Sequence, residues 1–419
     1  MIRSKTLKYW DFKEHPVADN ILRDDLLKLF VNREMELGDA EDALGHSRIV
    51  GVYGGLGVGK SSFLQKLKQT LNKDGYPVAY VHLTADSEET LYREMLAEIL
   101  VLILSKELKL KRITGFKAKD EAVRIVASVS KSRGANFGGK FMDLIGGDLN
   151  ENKQTQLNAH TEASARVTLK TIFDGLKSPL VVVLDDFEKL RYQSSGKQRD
   201  YFPILSRFIG TLEEVFNHKE VSFVVSMDNQ VETLIESSKK KKEAFAFSLN
   251  SLINLPNLEL THLRDFLKVR LKNQGCKQGT GNFIKPEAFL ALALASGTNP
   301  RWIVRIVAEA MKLAADRKRP TKQIDLRIMK DACEKAGSPL DAKDWIVVNH
   351  ILKGGEGSAN DDALRKALDF KKPKRADGYH ASVERRLKTV ATSFRLAFDE
   401  VPTGTTKKNV LNIPTIELD

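Results

Sequence analysis

The residues with the clearest chemical role form a glycine-rich loop, GGLGVGKSS, at positions 54–62. Positions 54–61 fit the phosphate-loop pattern G-x-x-x-x-G-K-[ST] without a gap. Glycines let successive backbone N–H groups point at phosphate oxygens, a lysine adds a point charge, and a serine hydroxyl offers a ligand to Mg²⁺. The predicted phosphate-binding residues are Gly54, Gly55, Gly57, Val58, Gly59, Lys60, Ser61 and Ser62.

A second candidate cluster is acidic and follows the aliphatic run LVVVL at positions 180–184. In open α/β sheets, carboxylates at the carboxyl end of a strand face the ligand crevice. We expect Asp185 to hold Mg²⁺ together with Ser61. Either Asp186 or Glu188 is the expected base that orients the attacking water. The loop and the acidic cluster together predict ATP or GTP binding, and hydrolysis.

Two later segments offer polar groups for the γ-phosphate. Ser226 ends a β-branched run, and Asn229 follows it, where a polar side chain can meet a phosphate or the attacking water; a helix N-cap explains this segment equally well. Arg301 begins a later helical pattern, and Arg305 lies one turn further on the same face. We expect Arg301 to approach the phosphates when this helical segment closes, with a surface salt bridge as the alternative.

The elements that must position these residues alternate along the chain. The pattern predicts strands over 48–53, 77–83, 179–187 and 221–227, and helices over 30–45, 61–72 and 89–108. Short β-branched runs separated by helices are typical of a parallel sheet covered on both faces. The predicted fold class is α/β: a parallel-sheet P-loop NTPase core, a helical lid and a C-terminal winged helix.

Composition divides the chain into four segments. We predict an N-terminal arm and helix over 1–46, the P-loop core over 47–254, a helical lid over 255–337 and a winged helix over 340–419. The last segment shows three short helical patterns and then a hairpin pattern, which is the winged-helix order. Residues 109–165 form a partly mobile insertion, which packs on its own domain or offers a contact surface.

Bulk composition limits the class of protein. The chain has 419 residues and a net charge of +12, which favours an anionic partner such as nucleic acid, with a basic but non-specific surface as an equally good alternative. Two cysteines exclude a disulfide framework and a Cys-rich metal site. The longest apolar run, 99–104, is far below the roughly 20 residues of a membrane span. We expect a cytoplasmic protein without a membrane partner.

These motifs, in this order, resemble those of AAA+ ATPases, and most of all those of origin-recognition-type initiator ATPases. The segment FVNREMEL (30–37) is similar to the adenine-side box of that group, which implies ATP as the nucleotide and contacts from Val31 and Arg33. The resemblance also implies that Asn229 is sensor 1 and that Arg301, in GTNPR, is sensor 2. Sites of this type are completed by a neighbouring copy, which implies ATP-dependent homo-oligomers.

The sequence departs from that family at two points. Its Walker B segment, LDDFEKL, lacks the usual Asp-Glu pair, and the segment 235–247 offers lysines where a trans-acting arginine is expected. Because of these departures, we expect either that hydrolysis is slow or that another residue, such as Arg207, serves as the trans-acting arginine.

Other segments resemble the KAP and STAND groups of NTPases. The resemblance rests on VVVLDDFEKL, FVVSMDNQVETLI and SLINLPNLEL. It implies that NTP binding switches a regulatory assembly, as in signalling and anti-phage defence, with a protein effector as partner. Membrane helices, common in KAP proteins, are not predicted here.

Basic residues near the predicted recognition helix, 378–391, are suited to DNA phosphates and the major groove. The candidates are Lys371, Lys372, Lys374, Arg375, His380, Arg385, Arg386 and Lys388. Protein docking is the alternative role of this segment, since it also carries many acidic residues.

The leading hypothesis is an AAA+-like ATPase that oligomerises with ATP and acts on duplex DNA, in replication initiation, transposition or mobile-element maintenance. The alternative is a nucleotide-gated switch that recruits a protein effector, for example in anti-phage defence. A simple nucleoside-phosphate enzyme fits less well, because it needs neither a lid nor a winged helix.

Overall fold

A computed structural model describes most of the chain, and within it the chain forms two compact units. The sheet unit comprises Leu22–Leu27 and Arg33–Pro256, and the helical unit comprises Met1–Ile21, Lys28–Asn32 and Asn257–Asp419. The described residues are 5–12, 21–83, 90–111, 113, 116–129, 160–193, 202–214, 218–240, 249, 251–273, 283–317, 322–337, 346–347, 350, 362–368, 398–403 and 406–411.

Five parallel strands form the sheet, in the spatial order β2-β3-β4-β1-β5. They are β1 (Ile49–Tyr53), β2 (Val78–His82), β3 (Leu180–Asp185), β4 (Val221–Met227) and β5 (Ser251–Asn254). Every residue of β1 and β3 is buried, as expected for parallel strands that are covered on both faces. The predicted α/β class and parallel P-loop core are confirmed.

Four of the five strands match the sequence prediction closely, and the differences have local causes. The third strand was predicted to continue to residue 187, but it ends at Asp185, because Asp186 adopts a positive φ of 64°. A 3-10 helix, Phe187–Gln193, follows instead. The fifth strand was not predicted; it has only four residues, and β1 supplies its pairing partner.

Helices of the sheet unit, numbered along the whole chain, supply the rest of its core. They are α2 (Glu34–His46), α3 (Lys60–Lys73), α4 (Leu91–Leu104), α5 (Ala118–Val129), α6 (Glu162–Asp174), α7 (Phe202–Glu214) and α8 (Gln230–Lys240). Leu100, Phe173 and Phe208 from these helices share one hydrophobic cluster with Val182 and Phe223 of the sheet. A further 3-10 helix spans Asp24–Leu29.

The predicted insertion, residues 109–165, is helical in part. Helix α5 lies inside it, and the buried side chains of Val123 and Ile125 join the core of the sheet unit. The described part of the segment thus packs on the sheet unit, and the choice between this packing and a contact surface stays a prediction for the segment as a whole. Residues 130–159 of the insertion lie outside the described residues.

The helical unit has a separate core. Its helices are α1 (Lys5–Trp10), α9 (Leu260–Asn273), α10 (Pro286–Ser296), α11 (Pro300–Asp316), α12 (Leu326–Ala336) and α13 (Asp362–Ala367). Trp10 from the N-terminal arm is buried here, as are Val347, Leu364 and Leu368 from the C-terminal segment. Residues from the N-terminal arm and from the segment 347–368 therefore share a core with the predicted lid helices.

A two-stranded antiparallel hairpin, β6 (Phe398–Thr403) with β7 (Thr406–Leu411), follows near the C-terminus. The predicted recognition helix, 378–391, lies outside the described residues, as do all eight DNA-binding candidates between Lys371 and Lys388. The winged helix therefore stays a prediction. Among the described residues, no helix has both the length and the apolar character of a membrane span.

Candidate nucleotide-binding site

The loop between β1 and α3 needs its glycines for two different reasons. A Cβ atom on Gly54 would lie 2.6 Å from the carbonyl oxygen of Leu255, so no side chain fits there. Gly57 and Gly59 have positive φ angles of 86° and 98°, a region that favours glycine. Helix α3 begins at Lys60, and its N-cap residue, Gly59, has no side chain to cap the first turn. The first N–H groups of an α-helix lack partners within the helix, and a phosphate site uses such groups as donors.

Lys60 is buried at the start of α3 and makes three contacts. Its Nζ donates to the carbonyl oxygens of Gly54 at 2.9 Å and Gly55 at 3.4 Å, and it lies 3.2 Å from Glu188 Oε1. Burial raises the pKa of Glu188, although the nearby Lys60 acts in the opposite direction. The second carboxylate oxygen, Glu188 Oε2, is buried without a hydrogen-bond partner among the described residues. Glu188 therefore faces the lysine and keeps one oxygen available as an acceptor.

Asp185 is fully buried at the end of β3 and accepts hydrogen bonds on both oxygens. Ser61 Oγ donates to Oδ1 at 3.1 Å and Ser226 Oγ at 3.3 Å, while Tyr80 Oη donates to Oδ2 at 2.7 Å. Burial by itself raises the pKa of this carboxyl, but interactions with His82, Tyr80 and Ser61 outweigh it and hold the pKa below its usual range. Asp185 is therefore an ionised carboxylate whose orientation is fixed by its hydrogen bonds.

Asp186 and Glu188 contact different neighbours. The sequence alone did not distinguish between these two candidate bases. Asp186 Oδ2 accepts from Lys189 Nζ at 2.5 Å and lies 3.5 Å from His82 Nδ1. Its backbone N–H donates to Ser226 Oγ at 2.6 Å, so its position is tied to the end of β4. Of the two acidic residues, only Glu188 contacts Lys60 within the described part of the chain.

The residues present fit Mg²⁺. This ion prefers oxygen ligands, and the Ser61 hydroxyl and the Asp185 carboxylate bring two of them together at 3.1 Å. Mg²⁺ also keeps several waters and binds nucleotide phosphates, so a site with few protein ligands beside a phosphate loop is the expected arrangement.

Three other predicted residues lie near the loop or beside β5. Asn229 is exposed, and its Nδ2 lies 3.7 Å from the position that a Cβ on Gly55 would take. Ser62 Oγ accepts from the N–H of Leu22 at 3.1 Å, so this hydroxyl anchors the chain before the first 3-10 helix. Arg33 is buried and donates to Glu36 and to the carbonyl of Pro256, which are both in the sheet unit.

Val31 and Arg301 belong to the helical unit. Val31 packs against the core of that unit, and Arg301 is exposed in the first turn of α11. The Asn299 side chain caps this helix by accepting from the N–H of Arg301 at 3.1 Å. The adenine-side and sensor roles of these residues stay predictions.

Tyr80 and His82 were not predicted as site residues. They alternate on β2, and the pairing register sets His82 opposite Asp185. The available signal was a tyrosine and a histidine at alternate positions near the carboxyl end of a strand. The sequence did not say that this strand neighbours β3.

Comparison with known proteins supports a P-loop assignment. A family model described as the KAP family P-loop domain matches residues 39–314. No curated protein matches significantly.

Solved structures give distant matches. The ORC2 protein of Aeropyrum pernix, in ADPNP-ADP complexes, is 16% identical with a TM-score of 0.43 and covers 96% of this chain and 95% of its own. The ORC1 protein of Aeropyrum pernix, in complex with DNA, is 15% identical with a TM-score of 0.42. The match covers 98% of this chain and 94% of that protein. A Walker-type ATPase of Pyrococcus abyssi is 16% identical with a TM-score of 0.41. The match covers 94% of this chain and 97% of that protein.

The family match extends over more than half of the chain. It includes the phosphate loop, the buried Asp185 and the neighbouring strand β4. The KAP resemblance of the sequence is thereby confirmed, and the chain belongs to the KAP family of P-loop NTPases.

Proposed function

We propose that the protein is a Mg²⁺-dependent ATPase whose nucleotide phosphates bind at the loop Gly54–Gly59 and the start of α3. The observation that carries this proposal is the 3.1 Å contact between Ser61 Oγ and Asp185 Oδ1, beside the buried Lys60. A hydroxyl and a carboxylate at this position are the ligands that a nucleotide-bound Mg²⁺ uses in P-loop NTPases. ATP rather than GTP rests on the resemblance of residues 30–37, because the loop itself contacts only phosphates.

Each residue has a defined role in this proposal. Ser61 and Asp185 hold Mg²⁺, which neutralises phosphate charge when it is bound. Lys60 exchanges its bonds to the loop carbonyls for bonds to phosphate oxygens. Glu188 is the base that orients the attacking water. Its position beside Lys60 supports this role, whereas Asp186 is paired with Lys189.

The test of nucleotide binding compares two lysines of α3. Lys60→Ala should weaken binding of a fluorescent ATP analogue at least about tenfold, because the charge that faces the phosphates is lost. Lys73→Ala, at the exposed end of the same helix, is the control and should bind like the wild type. Unchanged affinity and turnover in Lys60→Ala would refute the nucleotide site.

The test of the base compares the two acidic residues. Glu188→Gln should retain ATP binding, but its rate of phosphate release should fall about 100-fold or more, which is the usual effect of removing a general base. Asp186→Asn should reduce turnover by less than about tenfold. The opposite order of the two variants would reassign the base to Asp186.

We propose duplex DNA as the partner of an ATP-bound oligomer, a proposal supported by the net charge of +12 and by the basic residues at 371–388. Binding should weaken steeply with salt, because phosphate contacts release counterions. The double variant Arg385→Ala/Arg386→Ala should lose most of the affinity, with oligomer mass followed in the same samples.

A protein effector is the second candidate partner, and membership of the KAP family supports it. In that case ATP binding changes the oligomer or exposes a surface, and duplex DNA changes neither turnover nor assembly. ATP hydrolysis measured with and without DNA separates the two outcomes.

A further inference from the structure

We propose a second divalent-cation site, formed by His82, Asp185 and Asp186, that takes a first-row transition-metal ion such as Mn²⁺ and forms without nucleotide. It shares Asp185 with the proposed nucleotide site, but it uses the other carboxylate oxygen. The metal-ligating atoms in this proposal are His82 Nδ1, Asp185 Oδ2 and Asp186 Oδ2.

Sheet topology brings these three side chains together. Strand β2 lies next to β3, and the register pairs His82 with Asp185 at the carboxyl ends of both strands. Asp186 follows directly and turns away from the strand with a φ of 64°. Two carboxylates and an imidazole therefore meet at one edge of the sheet, beside the phosphate loop.

The two distances from His82 suit neighbouring ligands of one ion. His82 Nδ1 lies 3.4 Å from Asp185 Oδ2 and 3.5 Å from Asp186 Oδ2, and the three donor atoms all lie within 4.8 Å of one another. A strong N–H···O bond is shorter, about 2.9 Å. Neighbouring ligands on an ion with bonds of about 2.1 Å are separated by roughly 3.0–3.5 Å.

The two oxygens of Asp185 face two different sets of potential metal ligands. Oδ1 lies toward Ser61 and Ser226, which supply hydroxyl oxygens. Oδ2 lies toward His82, and Tyr80 Oη also donates to it at 2.7 Å. Imidazole suits Fe²⁺, Ni²⁺, Cu²⁺ and Zn²⁺, and the two carboxylates suit Mn²⁺ as well, whereas Mg²⁺ prefers oxygen ligands alone. The Oδ2 side therefore favours a different ion from the Oδ1 side.

Lys189 is the competitor for this site. Its ammonium lies 2.5 Å from Asp186 Oδ2, and half of its side chain is exposed, so it can leave without crossing the core. A metal ion must displace this ammonium to use Asp186. Removing the lysine charge should therefore strengthen metal binding, which is the opposite of the effect of removing His82.

The experiment is a titration of the full-length protein with Mn²⁺ alone, without nucleotide, followed by electron paramagnetic resonance. Pulsed measurements then detect ¹⁴N coupling from a ligating imidazole. We expect ¹⁴N coupling in the wild type. His82→Gln should abolish it and weaken Mn²⁺ binding about tenfold or more. The control His46→Gln, at the exposed end of α2, should match the wild type.

Lys189→Met should raise Mn²⁺ affinity at least about threefold with the ¹⁴N coupling retained. Ser61→Ala, which removes an Oδ1-side ligand, should leave the ¹⁴N coupling in place, because the imidazole lies on the Oδ2 side. Circular dichroism checks that each variant is folded. A wild-type spectrum without ¹⁴N coupling, or equal Mn²⁺ affinity in His82→Gln and wild type, would overturn the second site. Neither result bears on the ATP proposal, which fails only if Lys60→Ala retains ATP binding and turnover.

Discussion

Tyr80 donates a hydrogen bond to Asp185 between two adjacent strands, with 2.7 Å between Oη and Oδ2. Both side chains are buried, and burial together with the Asp185 charge raises the pKa of the tyrosine, so it remains a donor. The bond fixes one oxygen of the carboxylate and turns the other toward Ser61. A residue outside the P-loop motifs thus helps to set the orientation of the proposed Mg²⁺ ligand.

Tyr80→Phe should lower the free energy of unfolding by about 1–3 kcal/mol, because a buried carboxylate loses a hydrogen-bond donor. Urea denaturation measures the change. Tyr76→Phe is the matched control, since Tyr76 is 43% exposed, and it should stay within about 0.5 kcal/mol of the wild type. Equal effects of the two substitutions would show that the Tyr80 hydroxyl contributes nothing to stability.

Gly54→Ala should destabilise the sheet unit by about 1–3 kcal/mol, because its Cβ would lie 2.6 Å from the Leu255 carbonyl oxygen and 2.9 Å from Val58 Cγ2. We expect Gly38→Ala to change stability in the opposite direction. Gly38 is inside α2 with open space around it, so alanine should stabilise the helix by about 0.5–1 kcal/mol. Thermal denaturation of both variants tests the difference in sign.

Glu121 and His160 connect α5 to the residues just before α6, with 2.5 Å between Glu121 Oε2 and His160 Nε2. The hydrogen bond with His160 is the main cause that lowers the pKa of Glu121, against the opposite effect of burial. A lowered carboxyl pKa stabilises the fold above the unfolded-state pKa, and this stabilisation is lost as pH falls through the folded-state pKa.

Glu121→Gln should therefore reduce stability near neutral pH and flatten the loss of stability on acidification below about pH 4.5. The measurement is thermal denaturation across a pH series. The control Glu236→Gln, at an exposed position of α8, should keep the wild-type profile. A Glu121→Gln profile parallel to that of the wild type would contradict the assigned linkage.

Trp10 anchors the N-terminal arm to the helical unit. Its Nε1 donates to the carbonyl of Met311 at 3.0 Å, and its ring meets that of Phe283 edge-on at 4.8 Å. Trp10→Ala should destabilise this unit by about 3–5 kcal/mol, as expected when a large buried aromatic is removed. Hydrogen exchange of the α11 amides should accelerate strongly, whereas exposed Lys8→Ala should leave it unchanged.

Several features followed from the sequence because their causes are local. The phosphate loop is specified by glycines that must adopt positive φ or approach another backbone closely, and these requirements appear as a fixed spacing before Lys60. Four strands were recognisable because parallel strands covered on both faces need uninterrupted β-branched runs. The helical character of residues 260–336 was recognisable from the 3–4 spacing of apolar residues.

Other features depended on pairing between distant segments. Strand β5 is only four residues long and exists because β1 pairs with it. The choice between Asp186 and Glu188 depends on the end of β3, where a positive φ directs one carboxylate to Lys189 and the 3-10 helix brings the other to Lys60. The burial of Trp10 in a core about 300 residues further along the chain has no local signature.

The sequence by itself determined the nucleotide chemistry, because phosphate binding needs specific residue types at consecutive positions of one loop. The tertiary structure decided how Asp185 is oriented and which residues surround it. Tyr80 and His82 reach that carboxylate through the register of β2 against β3, and register is a long-range property of the sheet. A single strand's residue pattern shows which side chains share a face, but only the assembled sheet shows what lies beside them.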